Sequence, residues 1–238
     1  MMPGAMVLAA GLGTRMRPLT DHVPKPLIKV AGISLIDRTL DWLAASGISE
    51  AVVNSYYQAE LLEAHLAKRA TPKVQISRET TVLETGGGIR QALPLLGTAP
   101  FFSVNSDVIC IDGKIPALHR LSQAWDDTAD ALLLVHPVAA AVGYDGPGDF
   151  FLDAGGTLRR RLDAPSAPFV FTGVQLLHPR LFDHAPDGAF SLNVLYNREM
   201  QSDGTLPRIR ALRHDGHWLH IGDPPGLAAA ERWLAAHR

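Results

Sequence analysis

The sequence is poor in cysteine. One thiol, Cys110, stands among 238 residues, which excludes an intrachain disulfide and a cysteine-based zinc cluster. Within the apolar run Phe101–Ile111 it reads as core filler. The sequence is also short of charge of one sign. Charged residues are 19% of the chain and the formal net charge is -2, so no strongly basic face is available and nucleic acid is excluded as an expected partner. Long hydrophobic runs are missing: no window approaches the ~18 apolar residues of a membrane span. The start, Met1-Met2-Pro3-Gly4-Ala5, has no basic segment of the signal-peptide kind, and the cytoplasm is the expected location. What is plentiful is apolar side chain. At 47% it suffices for one sizeable core, and a single domain over residues 1–238 is the simplest organisation.

The pattern along the chain alternates. Ala5–Ala10 is a short continuous apolar run, as in a buried parallel strand. Ser34–Ser46 reads as a helix capped by Ser34, with Asp37 at the capping-box position and Gly47 ending it. Strand 51–57, helix 59–69, strand 74–78, a helix opened by Gly86-Gly87-Gly88, strand 101–108, helix 115–125 and strand 131–138 follow. Such alternation predicts a doubly wound, mostly parallel sheet of Rossmann-like type, whose ligands lie beyond the carboxyl ends of the strands. The second half is more broken and predicts a small lobe. Strands 150–152 and 158–162 flank the turn Asp153-Ala154-Gly155-Gly156-Thr157, and strand 169–177, helix 192–201 and short strands 208–212 and 218–221 come next. Asp223 before Pro224-Pro225 predicts the cap of a last helix, 226–237.

The first strand runs into Leu8-Ala9-Ala10-Gly11-Leu12-Gly13-Thr14-Arg15-Met16-Arg17-Pro18-Leu19. Small residues after a strand let backbone amides approach an anion, and Arg15 adds a fixed positive fork. Pro24-Lys25-Pro26 then holds a lysine between two rigid residues. The loop lacks the third glycine of a dinucleotide fingerprint and the Gly-Lys-Ser/Thr of a P-loop. Taken alone, a tight turn carrying surface cations explains the glycines equally well.

In combination, Leu8–Thr20 with Pro24–Leu27 resembles the signature of the sugar-1-phosphate nucleotidyltransferases. Asn105-Ser106-Asp107, Phe171-Thr172-Gly173 and Trp218–Gly222 recur in that family's order. The resemblance implies the nucleotide-diphospho-sugar transferase fold and the joining of a nucleoside triphosphate to a sugar 1-phosphate, with release of pyrophosphate. It implies nucleotide contacts at Ala10, Gly11, Gly13 and Thr14, and catalytic roles for Arg15, Lys25 and Asp107. Glu84-Thr85-Gly86-Gly87-Gly88 is similar to the base loop of the N-acetylmuramate 1-phosphate uridylyltransferases of peptidoglycan recycling. That likeness implies UTP, with Glu84, Gly86 and Gly87 against the nucleotide. Mannose- or heptose-1-phosphate guanylyl transfer, choline-phosphate cytidylyl transfer and a nucleotide sensor without turnover remain as alternatives.

Asp107 at a strand's carboxyl end is the expected ligand of Mg²⁺, with Mn²⁺ as the alternative. The family's second metal-binding aspartate is replaced here by His220, a poor partner for Mg²⁺. Three readings stand: Asp223 reaches the metal, His220 binds it, or Asp107 with water and the triphosphate suffices. On the sugar side the resemblance implies Asn105, Gly148, Asp149, Thr172 and Gly173. Arg159-Arg160-Arg161 reads as a solvated strand face, with the sugar phosphate or the lactyl carboxylate of a muramic acid as the other candidates.

Overall fold

In the computed structural model, residues 2–198, 200–201 and 203–237 are described. The first half contains β1 (Ala5–Leu8), β2 (Lys29–Val30), β3 (Ile33–Ser34), α1 (Leu35–Ala45), β4 (Glu50–Ser55), α2 (Ala59–Leu66), β5 (Lys73–Arg78), α3 (Glu84–Leu96), β6 (Phe101–Asn105), β7 (Val108–Ile111) and α4 (Ala117–Ala124). The second contains β8 (Ala131–Pro137), β9 (Phe150–Leu152), β10 (Thr157–Arg160), β11 (Phe169–Leu177), α5 (Asn193–Arg198), β12 (Thr205–Arg213), β13 (His217–His220) and α6 (Pro224–Ala236).

A nine-stranded sheet runs in the order β5-β4-β1-β6-β11-β8-β12-β10-β9. Neighbours from β5 to β6 are parallel, as are β8 and β12. β11 enters antiparallel between β6 and β8, and the β9–β10 hairpin extends the far end. β9 also pairs with β11, through Phe169 opposite Phe150, so this end of the sheet curls back on itself.

Both faces are covered because the strands alternate between two cores. Ala5, Val7, Ala51, Val53, Phe102 and Val104 face one core with Leu40 of α1, Leu62 of α2 and Leu118 of α4. Met6, Val52 and Phe101 face the other, with Ile89 of α3 and Leu195 of α5. α1 begins as its sequence predicts: the Ser34 hydroxyl accepts from the Asp37 amide at 3.2 Å.

Three expectations change. The strand read over 101–108 breaks at Ser106-Asp107, where the chain leaves the large sheet and pairs as β7 with β13. The break turns Asp107 out at the rim. Ala31 and Gly32 both adopt positive φ, 49° and 86°, and close the small β2–β3 hairpin, which apolar patterning does not announce. The helix expected over 192–201 is observed as Asn193–Arg198; its expected continuation includes position 199, outside the described residues.

Candidate active site

The carboxyl ends of β5, β4, β1 and β6 share one edge, so residues just past them line one cleft. One chamber is lined by Ala10, Gly11, Lys25, Asn54, Glu79 and Asp107, among others. A second is lined by Asp149, Phe150, Arg160, Gln175 and Tyr196, among others. Leu8, Thr85 and Asn105 belong to both. At about 200 and 240 Å³ the two chambers reach the size of a small-molecule site only together, so they form one bipartite cleft.

The loop after β1 forms a rim of the first chamber. A 3-10 turn over Thr14–Met16 buries Met16 completely against Ile28, Leu219 and Ile221, which fixes the loop and leaves Thr14 and Arg15 exposed. Gly13 sits at φ 62°, and a Cβ there would lie 2.9 Å from Thr20 and 3.1 Å from Lys25. This glycine therefore shapes the loop and does not line the cavity, whereas Ala10 and Gly11 do. Among the described residues the amides from Gly11 to Arg15 have no protein acceptor and are left to solvent or a ligand.

Lys25 Nζ donates to Asp107 Oδ2 at 2.7 Å, with side chains 13% and 26% exposed. The pair is neither buried nor fully hydrated, so a ligand can still separate it. His220 is near. It stands opposite Val108 on the β7–β13 ribbon, and the Ile221 amide donates to the Asp107 carbonyl at 3.0 Å. The imidazole stacks on Trp218, 5.6 Å between ring centroids, and a Cβ on Gly222 would lie 2.4 Å from its ring. Burial holds the His220 pKa below its ordinary value; Asp107 opposes that shift, while Lys25 and Arg15 add to it. Lys25 and Asp107 line the first chamber, whereas Arg15, exposed on the loop after β1, lines neither. Asp223 caps α6, its Oδ1 accepting from the Gly226 amide at 2.8 Å. Among the described residues no group of three His, Cys, Asp or Glu side chains converges as a metal site.

The glycine cluster does something other than lie against a base. A Cβ on Gly86 would meet the Phe190 ring at 2.3 Å, one on Gly87 the Gly188 carbonyl at 2.4 Å, and one on Gly88 the Glu79 carboxylate at 2.7 Å. The amides of Gly86 and Gly87 both donate to the Phe190 carbonyl. Gly86 and Gly87 are buried packing positions and do not line the chamber, whereas Glu84 and Thr85 do. Glu84 itself adopts positive φ, 58°.

Two residues escaped the sequence reading. Asn54, 2% exposed, accepts from the Ala9 amide at 2.6 Å and donates to Glu79 at 2.7 Å. Glu79 in turn accepts from the Leu83 amide at 3.1 Å, and burial raises its pKa. This relay ties the loop after β1 to the segment that leads into α3. Its one signal in the sequence is an asparagine inside the apolar run 51–57.

In the second chamber Asn105 and Asp149 line the wall. Gly173, φ 82°, sits in a β-bulge where a Cβ would lie 2.9 Å from Asn105, so it backs that side chain. Thr172 is corrected: it is fully buried, its hydroxyl donates to the Leu134 carbonyl, and its own carbonyl accepts from Trp218. Gly148, φ 78°, is a close-packing position, with the Ala167 carbonyl 2.1 Å from a built Cβ. The three arginines separate. Arg159 is exposed with its guanidinium 4.3 Å from the Phe151 ring centroid, Arg161 holds the carbonyls of Gly148 and Ala164, and Arg160 lines the chamber. A wholly solvated face is therefore not what they form.

A family model described as nucleotidyl transferase matches residues 4–145. The chain is 45% identical over 237 residues to the N-acetylmuramate alpha-1-phosphate uridylyltransferase of Caulobacter vibrioides, spanning 97% of this chain and 96% of that one. It is 35% identical to the protein of the same name from Neisseria meningitidis, over 98% of each chain. Among solved structures, UDP-glucose pyrophosphorylase complexed with UDP-glucose superposes with a TM-score of 0.79 at 18% identity, over 100% of both chains. HddC from Yersinia pseudotuberculosis complexed with GMP-PN gives 0.76, also at 18%, over 98% of this chain and 100% of that one. Those likenesses give the chain the nucleotide-diphospho-sugar transferase fold, a mostly parallel sheet with helices on both faces.

Proposed function

The chain belongs to the nucleotidyl transferase family, and from that premise we propose that it transfers a uridylyl group from UTP to N-acetylmuramate 1-phosphate, forming the nucleotide sugar and pyrophosphate. The observation that carries the reading is the Lys25–Asp107 pair at 2.7 Å, on a cavity that Ala10 and Gly11 of the loop after β1 also line. The two relatives named for this reaction support the choice of UTP and of the sugar.

In the reaction a phosphate oxygen of the sugar phosphate attacks the α-phosphorus of UTP. One P–O bond forms, the α–β bridging P–O bond breaks, and pyrophosphate leaves with the electron pair. Both reactants are anions, so the barrier is lowered by positioning and by fixed positive charge, without a side-chain nucleophile. Lys25 neutralises the α-phosphate, Arg15 and the loop amides receive the departing pyrophosphate, and Asn105, shared by both chambers, orients the sugar phosphate.

The donor set suits a hard cation as a partial shell. Asp107 presents a second carboxylate oxygen beyond the one paired with Lys25, and substrate oxygens and water complete such sites for Mg²⁺. Mg²⁺ or Mn²⁺ held by Asp107 would supply further charge neutralisation across the triphosphate. Asp223, committed to its cap, and His220, stacked on Trp218, are left to structural roles. A cytoplasmic setting and a place in peptidoglycan recycling accompany this substrate pair, and no helix of the described residues is long and apolar enough to cross a membrane.

Pyrophosphate release by the purified protein, with UTP, GTP or CTP and N-acetylmuramate 1-phosphate, tests the reading. Turnover is expected with UTP, and Asp107→Asn and Lys25→Met are each expected to lower kcat by roughly 100- to 1,000-fold. Release with GTP alone, or full Mg²⁺-dependent turnover in Asp107→Asn, overturns it.

A further inference from the structure

The second chamber contains a cation that the chemistry above leaves unused. Arg160 extends from β10 into a wall formed with Phe150, Gln175 and Tyr196. Its Nη2 donates to Asn193 Oδ1 at 2.9 Å, but its Nε is buried with no hydrogen-bond partner. Among the described residues it has no carboxylate within ion-pair distance. Asp149, on the same wall, gives Oδ2 to the Phe171 amide at 2.9 Å. Tyr196 donates its hydroxyl to Gln175. Tyr196 and Gln175 therefore engage each other, Asp149 acts on Arg160 through its charge without an ion pair, and the guanidinium rests 5.3 Å from the Phe150 ring centroid.

A guanidinium drawn partly out of water with no carboxylate paired to it is costly unless an anion reaches the part of the fork that lines the chamber. Burial depresses the Arg160 pKa, which marks the same desolvation. That anion is not the reacting phosphate. Lys25 and Asp107 line the first chamber and not the second, whereas Arg160 lines the second and not the first. A sugar phosphate bridging the two past Asn105 would set its phosphate against Lys25 and the opposite part of the sugar against Arg160.

We propose that Arg160 is a specificity-determining residue that receives a carboxylate carried by the sugar, the lactyl group of N-acetylmuramate 1-phosphate in the proposed reaction. The planar fork suits a carboxylate, and the aromatic floor holds the fork in place. The assignment rests on the uridylyltransferase reading above and deepens it.

The test compares two acceptors on the full chain with UTP: N-acetylmuramate 1-phosphate, and N-acetylglucosamine 1-phosphate, which lacks the lactyl ether. Wild type is expected to prefer the carboxylated acceptor. Arg160→Met is expected to lose roughly 10- to 100-fold in kcat/KM on that acceptor, mostly through KM, and less than about 3-fold on the neutral one. Arg160→Lys should recover part of the loss. Retained turnover of the neutral acceptor shows that the variant is folded. An equal loss on both acceptors, or no loss on either, overturns the carboxylate assignment while leaving uridylyl transfer intact. So does a wild type that prefers the neutral sugar. A wild type that releases pyrophosphate with neither acceptor overturns the underlying reading and the assignment with it.

Discussion

At the scale of single residues, the side chains that matter differ in how they are held. Lys25 and Asp107 hold each other, and Asn54 is held by the two neighbours it bridges, Ala9 and Glu79. His136 is held mainly by packing: it is 2% exposed, and burial, opposed by a backbone interaction at Ala140, pushes its pKa down to about 4. The rings of His214 and Trp218 face it at 5.6 and 6.2 Å. His214 and the nearby His217 and Arg213 add to that downward push. Since the folded-state value lies below the ordinary 6.5, the unfolded chain binds the proton first as pH falls. The native state should be at full stability above pH ~6.5 and lose about 3 kcal/mol at this residue by pH ~4. Melting temperature followed from pH 7 to pH 4.5 should fall less steeply in His136→Phe than in wild type; parallel curves would remove the assignment. Asn54 shows why part of the site was hidden from the sequence. Its partners Ala9 and Glu79 are 45 and 25 positions away, and no local pattern relates them. Lys25 and Asp107, by contrast, could be singled out from the sequence because each lies in a local motif that resembles the family's, and the structure pairs them.

At the scale of elements, helix starts were legible and the functions of glycines were not. Ser34 and Asp223 are both observed as caps, because capping involves only a residue and its neighbours three positions on. The cap gives Asp223 a test that separates structure from metal binding. Asp223→Ser keeps a capping oxygen and should keep turnover within about 3-fold, whereas Asp223→Ala should lose ~1 kcal/mol of stability. A severe loss of turnover in the serine variant at unchanged stability would return the aspartate to the metal. The triplet Gly86-Gly87-Gly88 announces that side chains are unwelcome, but not what excludes them. The structure answers with Phe190, Gly188 and the Asn54–Glu79 pair. Gly86→Ala places a Cβ 2.3 Å from the Phe190 ring, and the overpacking should cost about 1–3 kcal/mol, read as a lower urea midpoint with unchanged slope. The break between β6 and β7 was missed for a related reason. Continuous apolar patterning runs through 108–111, and only pairing with β13 reveals that the chain has changed sheets.

At the scale of the whole molecule, alternating strands and helices made the parallel half legible, while the antiparallel entrance of β11 depends on long-range pairing and was not. The cleft lies across that junction, so substrate should brace both halves together. UTP with Mg²⁺ at 100 times its Kd should add about 2.7 kcal/mol, which is roughly a 5–10 °C rise in melting temperature for a chain of this size. In Lys25→Met at the same concentrations the rise should largely vanish, and an undiminished rise would place the nucleotide elsewhere. One detail of this architecture governs how the cleft can exchange its contents. The amides of Gly86 and Gly87 bind the Phe190 carbonyl, the Phe190 amide binds the Leu83 carbonyl, and the Leu192 amide binds the Thr85 hydroxyl. Four bonds, three of them purely main-chain, rivet the wall of one chamber to the wall of the next. The two walls therefore cannot part from each other without breaking these bonds, so room for a molecule to enter has to come from the opposing lip, where Gly11, Leu12, Thr14 and Arg15 are exposed.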